Sequence, residues 1–155
     1  MRHLIQQIGR RKFFASATAG TLATIAQSTK LHAGELTSNE QDNVKIVNDF
    51  CAVWRAPMNL AEITPFLAED CVYRASETAP AETGHDAITN LLQQFVAEAT
   101  FCEFEVVDTF ARGSIVVNER WDRFQLPTRR IEWHGVGVFY MKDKKILEWS
   151  DFTIL

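Results

Sequence analysis

Residues 101–155 read FCEFEVVDTFARGSIVVNERWDRFQLPTRRIEWHGVGVFYMKDKKILEWSDFTIL, and this stretch decides the fold. Apolar, β-branched and aromatic residues alternate with polar ones through most of it, which is the period of a strand with one buried face. Short polar connections at 112–113, 126–128 and 142–144 are typical of hairpin turns. The pattern therefore predicts four consecutive antiparallel strands, at 101–111, 114–126, 130–142 and 145–155.

The residues before this block have helical periodicity. Apolar side chains three, four and seven positions apart predict a first helix over 38–55, with Ser38 as N-cap, Gln41 as its capping-box partner and Pro57 after its end. A short second helix is predicted at 59–68 and a third at 84–98. Between them, 70–75 is predicted to be a short strand and 77–83 a loop.

Three helices followed by four long strands predict an α+β domain. Its curved antiparallel sheet would wrap around the helices as a cone that contains a cavity. The length of 155 residues, with 46% hydrophobic and 23% charged residues, fits one such domain and no second one. The net charge of -4 gives no reason to expect nucleic acid as a partner.

The amino-terminal segment has the order of an export signal. Gly9-Arg10-Arg11-Lys12-Phe13-Phe14 precedes a weakly apolar run, and Leu31-His32-Ala33 follows as a candidate cleavage site. We expect residues 1–33 to be a twin-arginine signal peptide, read by the twin-arginine translocase, and residues 34–155 to be a periplasmic or secreted domain. The alternative is a buried amphipathic helix that begins with the basic residues.

Three cysteines, Cys51, Cys71 and Cys102, are an odd number at unrelated spacings. That pattern is not typical of a disulfide framework or of a metal site. We expect buried thiols, while a single bridge formed after export stays open.

Three ionisable residues stand out within the apolar strands. Arg120 and Asp122 are two positions apart and so share one face of their strand, and Asp151 lies in the last strand. Two carboxyl groups in a water-poor cavity cannot both be charged at low cost, so one is expected to stay protonated beside the guanidinium. The alternative is a structural ion-pair network without catalysis.

The order of several motifs is specific. Tyr73, Arg120-x-Asp122, Gly137-Val138-Phe139 and Trp149-x-Asp151-Phe152 together resemble the limonene-1,2-epoxide hydrolase family, within the nuclear-transport-factor-2-like and SnoaL-like superfamily. The resemblance implies cofactor-free opening of a hydrophobic epoxide by water, on a cyclic, terpenoid-like or lipid-like substrate. Asp151 would be the general base, Asp122 the general acid and Arg120 the bridge between them, while Tyr73 would hold the water. The resemblance also implies a homodimer, and the sequence contains no metal-binding or nucleotide-binding motif.

The pocket residues predicted beside this set are Trp133, Gly135, Phe139 and Ser76. The first three share one face of a strand, and glycines there would leave room in the cavity or let the sheet bend. One position departs from the family pattern, because Ala75 stands where family enzymes have a water-holding Asn. Either Ser76 or Thr78 supplies that hydrogen bond, or the water is held less well, or the chemistry has changed.

Two other functions stay open. A ketosteroid-isomerase-like or cyclase-like enzyme of the same fold would use a carboxylate and Tyr73, but would leave Arg120 without a clear task. The third possibility is a non-catalytic protein that binds a hydrophobic ligand.

Overall fold

The structure is a computed structural model that describes residues 35–154. Its two α-helices are α1 (Ser38–Ala52) and α2 (His85–Val96). Between them lie two single 3₁₀ turns, at Leu60–Glu62 and Thr64–Phe66. The strands are β1 (Leu67–Arg74), β2 (Ala81–Thr83), β3 (Phe101–Arg112), β4 (Ile115–Gln125), β5 (Arg130–Lys142) and β6 (Lys145–Thr153).

The six strands form one curved sheet in the order β2-β1-β6-β5-β4-β3. The four consecutive strands β3 to β6 pair with one another in antiparallel fashion, as the sequence predicts. The short first strand pairs with β6 in parallel, so the sheet is mixed rather than wholly antiparallel. The curved sheet, with two α-helices and two 3₁₀ turns packed beside it, confirms the predicted α+β, nuclear-transport-factor-2-like fold.

Two local predictions are wrong in detail. The segment predicted as a second helix at 59–68 contains only the two 3₁₀ turns, and β1 already begins at Leu67. Pro65 stands at the start of the second turn, where its missing N–H is tolerated. The turn does not extend into a longer helix, as is usual for 3₁₀ segments. The predicted loop at 77–83 ends in β2, which pairs with β1 and so extends the sheet by one edge strand.

The first helix is capped by Thr37, not by Ser38 as the sequence suggests. The Thr37 hydroxyl accepts a hydrogen bond from the Glu40 N–H, and the Glu40 carboxylate accepts one from the Thr37 N–H at 2.8 Å, which completes a capping box. The other Glu40 oxygen accepts from the Gly113 N–H at 2.7 Å, in the turn between β3 and β4. One buried carboxylate therefore fixes the start of α1 and attaches it to a hairpin of the sheet.

The hydrophobic core lies between the concave face of the sheet and the helices. α1 packs on β3 and β4, and α2 packs on β1 and β2. Phe50 is fully buried at the centre of the core, in edge-to-face contact with Trp54, Phe139 and Trp149. The three cysteines are buried and unbridged, which confirms the predicted thiols.

The predicted signal segment, residues 1–33, lies outside the described residues. Within residues 35–154, no helix has both the length and the apolar character needed to cross a membrane.

Candidate active site

The pairing of strands β4, β5 and β6 determines which side chains meet on the concave face. Gly137 of β5 is paired with Asn118 on one side and with Asp151 on the other. Arg120, two positions further along β4 than Asn118, therefore reaches Asp151 by crossing over Gly137. A Cβ at Gly137 would overlap with Arg120 Nη1 and would lie 2.8 Å from Asn118 Oδ1. The glycine is thus required for this close approach.

Arg120 bridges the two aspartates as the sequence predicts. Its Nε donates to Asp122 Oδ1 at 2.8 Å, and its Nη2 donates to Asp151 Oδ1 at 2.7 Å. All three side chains are buried, and the guanidinium is fully inaccessible. A charged group at this depth is stable only when its donors are satisfied by opposite charge or by strong acceptors.

Asp151 receives three donors. Besides Arg120, the Trp149 Nε1 donates to Oδ1 at 2.8 Å and the Tyr73 hydroxyl donates to Oδ2 at 3.3 Å. The parallel pairing of β1 with β6 sets Tyr73 beside Trp149, and their rings stack with centroids 3.8 Å apart. Asp122, by contrast, is held by Arg120 alone among the described residues.

A cavity of about 210 Å³ opens in front of the two aspartates. Its walls are aromatic and aliphatic, and its ionisable groups are two carboxyls and one phenol. The lining residues are Trp54, Tyr73, Ala75, Leu92, Phe95, Phe104, Asp122, Phe124, Ile131, Trp133 and Asp151. Such a site suits a small, largely apolar ligand that carries one polar group.

Burial controls the ionisation of the carboxyls. It raises the pKa of Asp122 to about 7, although the adjacent Arg120 opposes the increase. Burial also raises the pKa of Asp151, and there Arg120, Trp149 and Tyr73 all oppose it. Because both groups share one guanidinium, they titrate as a pair, and burial favours the retention of a proton on the pair.

Arg120 remains charged throughout. Burial alone would lower its pKa, but Asp151 and Asp122 raise that pKa above the ordinary value. The guanidinium carbon also lies 4.8 Å from the centre of the Phe104 ring and 5.5 Å from that of the Trp133 ring. The guanidinium thus makes cation–π contacts with two aromatic rings, which stabilise its positive charge.

The predicted pocket residues have different positions. Trp133 lines the cavity, and its indole ring covers Gly135, where an added Cβ would overlap with the ring. Phe139 is fully buried and packs on Phe50 and Trp149, so it belongs to the core and does not line the cavity. Ser76 is half-buried in the segment after β1 and is also absent from the cavity wall, whereas its neighbour Ala75 contributes to it.

Sequence reasoning missed two contributors. Asn118 is fully buried and its Oδ1 accepts from Arg120 Nη1 at 3.0 Å. Trp149 supplies the indole N–H to Asp151. Strand periodicity placed Asn118 on the same face as Arg120, but its contact could be found only from the register.

The neighbours of the arginine in β4 point away from the site. Trp121 stacks on His134 with ring centroids 4.2 Å apart, and Arg123 forms ion pairs with Glu103, Glu105 and Glu132 on the opposite face of the sheet. Both side chains therefore face away from Asp122, as the period of two along a strand requires. His134 Nε2 lies 2.8 Å from Glu119 Oε1, far from the cavity side.

Within residues 35–154, no group of three or more His, Cys, Asp or Glu side chains is arranged to hold a metal ion.

The family model described as "SnoaL-like domain" matches residues 47–149, about two thirds of the sequence. The chain therefore belongs to the SnoaL-like domain family. No curated protein matches it significantly.

Solved structures share the fold at low sequence identity. An LEH-like epoxide hydrolase from M. tuberculosis is 21% identical with a TM-score of 0.65, over 75% of this chain and 85% of that one. A protein provisionally described as a polyketide cyclase, from Xanthomonas campestris pv. campestris, is 19% identical with a TM-score of 0.66, over 76% and 93%. TerC, co-crystallised with polyporic acid, is 14% identical with a TM-score of 0.62, over 73% and 92%. These likenesses establish the fold alone.

Proposed function

We propose that this protein is a cofactor-independent epoxide hydrolase that adds water to a small hydrophobic epoxide in one step. The observation that carries the proposal is the buried bridge in which Arg120 holds Asp122 and Asp151 at one wall of an apolar cavity. Two carboxyls that share one guanidinium and one proton provide an acid and a base in the same site. The low-identity likeness to an epoxide hydrolase of the same fold agrees with this proposal.

The hydrogen-bond donors favour a division of roles between the aspartates. Asp151 receives three donors, which stabilise its negative charge, whereas Asp122 receives one. We therefore assign the charge to Asp151 as general base and the proton to Asp122 as general acid. Burial raises the pKa of both carboxyls, so this division rests on the number of donors to each aspartate and not on the pKa shifts.

The reaction then balances without a cofactor. Asp151 Oδ2 takes a proton from water while the water oxygen attacks an epoxide carbon. The carbon–oxygen bond of the ring breaks, and the leaving oxygen takes the proton of Asp122. The product is a diol, and the proton held by Asp151 must return to Asp122 before the next cycle. Arg120 stays positively charged and stabilises whichever carboxylate is ionised.

The water site in this chain depends on fewer polar groups than the family pattern implies. Ala75 lines the cavity with a methyl group, and Ser76 does not reach the cavity wall. In the proposed reaction Tyr73 and Asp151 hold the water, because their oxygens lie 3.3 Å apart beside the cavity.

The test is diol formation by the purified domain on a panel of small cyclic and branched epoxides. We expect Asp151→Asn and Asp122→Asn each to lower kcat/KM by about 10²–10⁴-fold, because each removes one proton-transfer group. Asp70→Asn, an exposed position on β1, is the matched control and should retain the parental rate. Parental rates in both site variants, with folding verified by circular dichroism, would contradict the proposal.

A second candidate function is an isomerase or cyclase. It is favoured by membership of the SnoaL-like family and by Ala75, which removes a water-holding group. Such an enzyme would use one aspartate and Tyr73 to move a proton beside a carbonyl. Mass analysis of products separates the two, since hydrolysis adds one water and isomerisation adds none.

A further inference from the structure

Asn118 is a fully buried amide in the centre of β4, two positions before Arg120. It does not line the cavity, so it has no access to substrate. A buried side-chain amide must be hydrogen-bonded at both ends, because an unpaired end costs on the order of 1–3 kcal/mol.

Both ends of this amide are paired. Oδ1 accepts from Arg120 Nη1 at 3.0 Å, and Nδ2 donates to the Cys51 sulfur of α1 at 3.1 Å. The reversed orientation would set the NH₂ group against the guanidinium, two donors facing each other. The donor-only guanidinium therefore fixes the orientation of the amide, and the Cys51 sulfur accepts from its other end.

Arg120 is thus held from three directions. Nε and Nη2 meet the two aspartates, and Nη1 meets a neutral acceptor. Gly137 leaves space for both side chains, because an added Cβ at this position would overlap with Arg120 Nη1 and come too close to Asn118 Oδ1.

We propose that Asn118 is a positioning residue of the active site, which orients the Arg120 guanidinium across both aspartates without adding a third negative charge to the cluster. This inference rests on the proposed hydrolase function for its kinetic consequences, but not for its electrostatic ones.

The neutrality of the acceptor is the central point. A carboxylate at this position would supply Nη1 with a stronger partner, but it would bring a third acid into a buried cluster that has one cation. Like charges in low dielectric disfavour ionisation, so the remaining carboxyls would retain their protons to higher pH. An apolar residue would leave Nη1 unpaired, and the guanidinium would turn away from one aspartate to satisfy it.

Two measurements test the proposal. The first is ¹³C NMR titration of the aspartate carboxyls in the full chain, which needs no substrate. We expect Asn118→Asp to raise the midpoint of the Asp122 carboxyl by about one pH unit or more, and Asn118→Ala to shift it by a measurable amount. Asn43→Ala, which removes a buried amide of α1 that bonds Gly113, is the matched control and should leave the midpoint unchanged.

The second measurement is steady-state kinetics on an epoxide that the parent accepts. We expect Asn118→Ala to lower kcat by about 10-fold to 10²-fold with KM within about threefold, since only the alignment of the reacting groups is lost. Asn118→Thr keeps an oxygen acceptor and suits a strand, so it should retain more activity than Asn118→Ala.

The outcomes separate the two proposals. Carboxyl midpoints that are unchanged in folded Asn118→Asp and Asn118→Ala proteins would overturn the role of Asn118. If the parent hydrolyses no epoxide while Asn118→Asp shifts the Asp122 midpoint, the positioning role stands and the hydrolase proposal fails.

Discussion

At the scale of single residues, the site depends on what burial does to acids. Asp122 lies deep enough for its pKa to rise from 3.8 to about 7 even though a guanidinium nitrogen is 2.8 Å away. An exposed aspartate with the same partner would have a lowered pKa, since the attraction would act without the desolvation cost. The position of Asp122 therefore makes it suitable as an acid at neutral pH.

The raised pKa of Asp122 has a consequence for stability that does not depend on any substrate. Between about pH 4 and pH 7 the folded protein keeps a proton that the unfolded chain has released, so stability falls as pH rises. Relative to Asp122→Asn, we expect the parent to lose about 1.4 kcal/mol of unfolding free energy per pH unit across this window. Above about pH 7 the difference should level off.

Urea unfolding at several pH values measures this difference. The same series on Asp70→Asn, at an exposed position of β1, is the control. A difference between the parent and Asp122→Asn that grows in favour of the parent as pH rises would contradict the assignment.

At the scale of elements, β5 forms the floor of the site. Its two buried glycines leave space that neighbouring side chains fill: the Trp133 indole covers Gly135, and Arg120 crosses Gly137. Neither glycine has a positive φ, so the requirement concerns space and not backbone conformation.

We expect Gly137→Ala to displace the guanidinium and lower kcat/KM by on the order of 10²-fold, as a misplacement of about 1 Å can do. Val138→Ala changes the next residue, which faces the other side of the strand, and should keep most of the activity. The measurement is epoxide hydrolysis with thermal unfolding in parallel. An active and stable Gly137→Ala protein would show that the Arg120 side chain does not need the space above Gly137 to reach Asp151.

Much of this arrangement follows from the sequence, because strands have a strict period of two. Alternation alone predicted the four-strand meander and placed Arg120 and Asp122 on one face, with Trp121 on the other. It could not predict the parallel pairing of β1 with β6, which stacks Tyr73 on Trp149, since one short strand has no signal for its partner. The role of Asn118 and the core position of Phe139 likewise depend on register and packing between elements.

At the scale of the whole molecule, one part of the outer face of the sheet is apolar. On the side of the sheet away from the helices, cross-strand pairing of β3 to β6 brings aromatic and aliphatic side chains together. Several of these side chains are more than 40% exposed. The side chains brought together are Phe110, Ile115, Val117, Val136, Val138, Tyr140 and Phe152. A contiguous apolar patch of this kind is typical of a protein–protein interface.

We expect a second copy of the chain to cover this outer face in solution. Phe110→Lys combined with Val138→Lys should convert the dimer to a monomer, because like charges would be buried without partners. Sedimentation velocity or light scattering measures the mass. Phe95→Glu, at an exposed phenylalanine of α2 on the cavity side, is the control and should leave the dimer intact. A monomeric parent at micromolar concentration would contradict the expectation.

The capping box formed by Thr37 and Glu40 sets the first residue that the domain needs at its amino-terminal end. All partners of that cap, including Gly113, lie on the carboxyl-terminal side of residue 34, so trimming the chain at the proposed export cleavage point deletes none of them. A recombinant protein starting at Gly34 should therefore keep this capping box, which makes it a convenient form for crystallisation and assay.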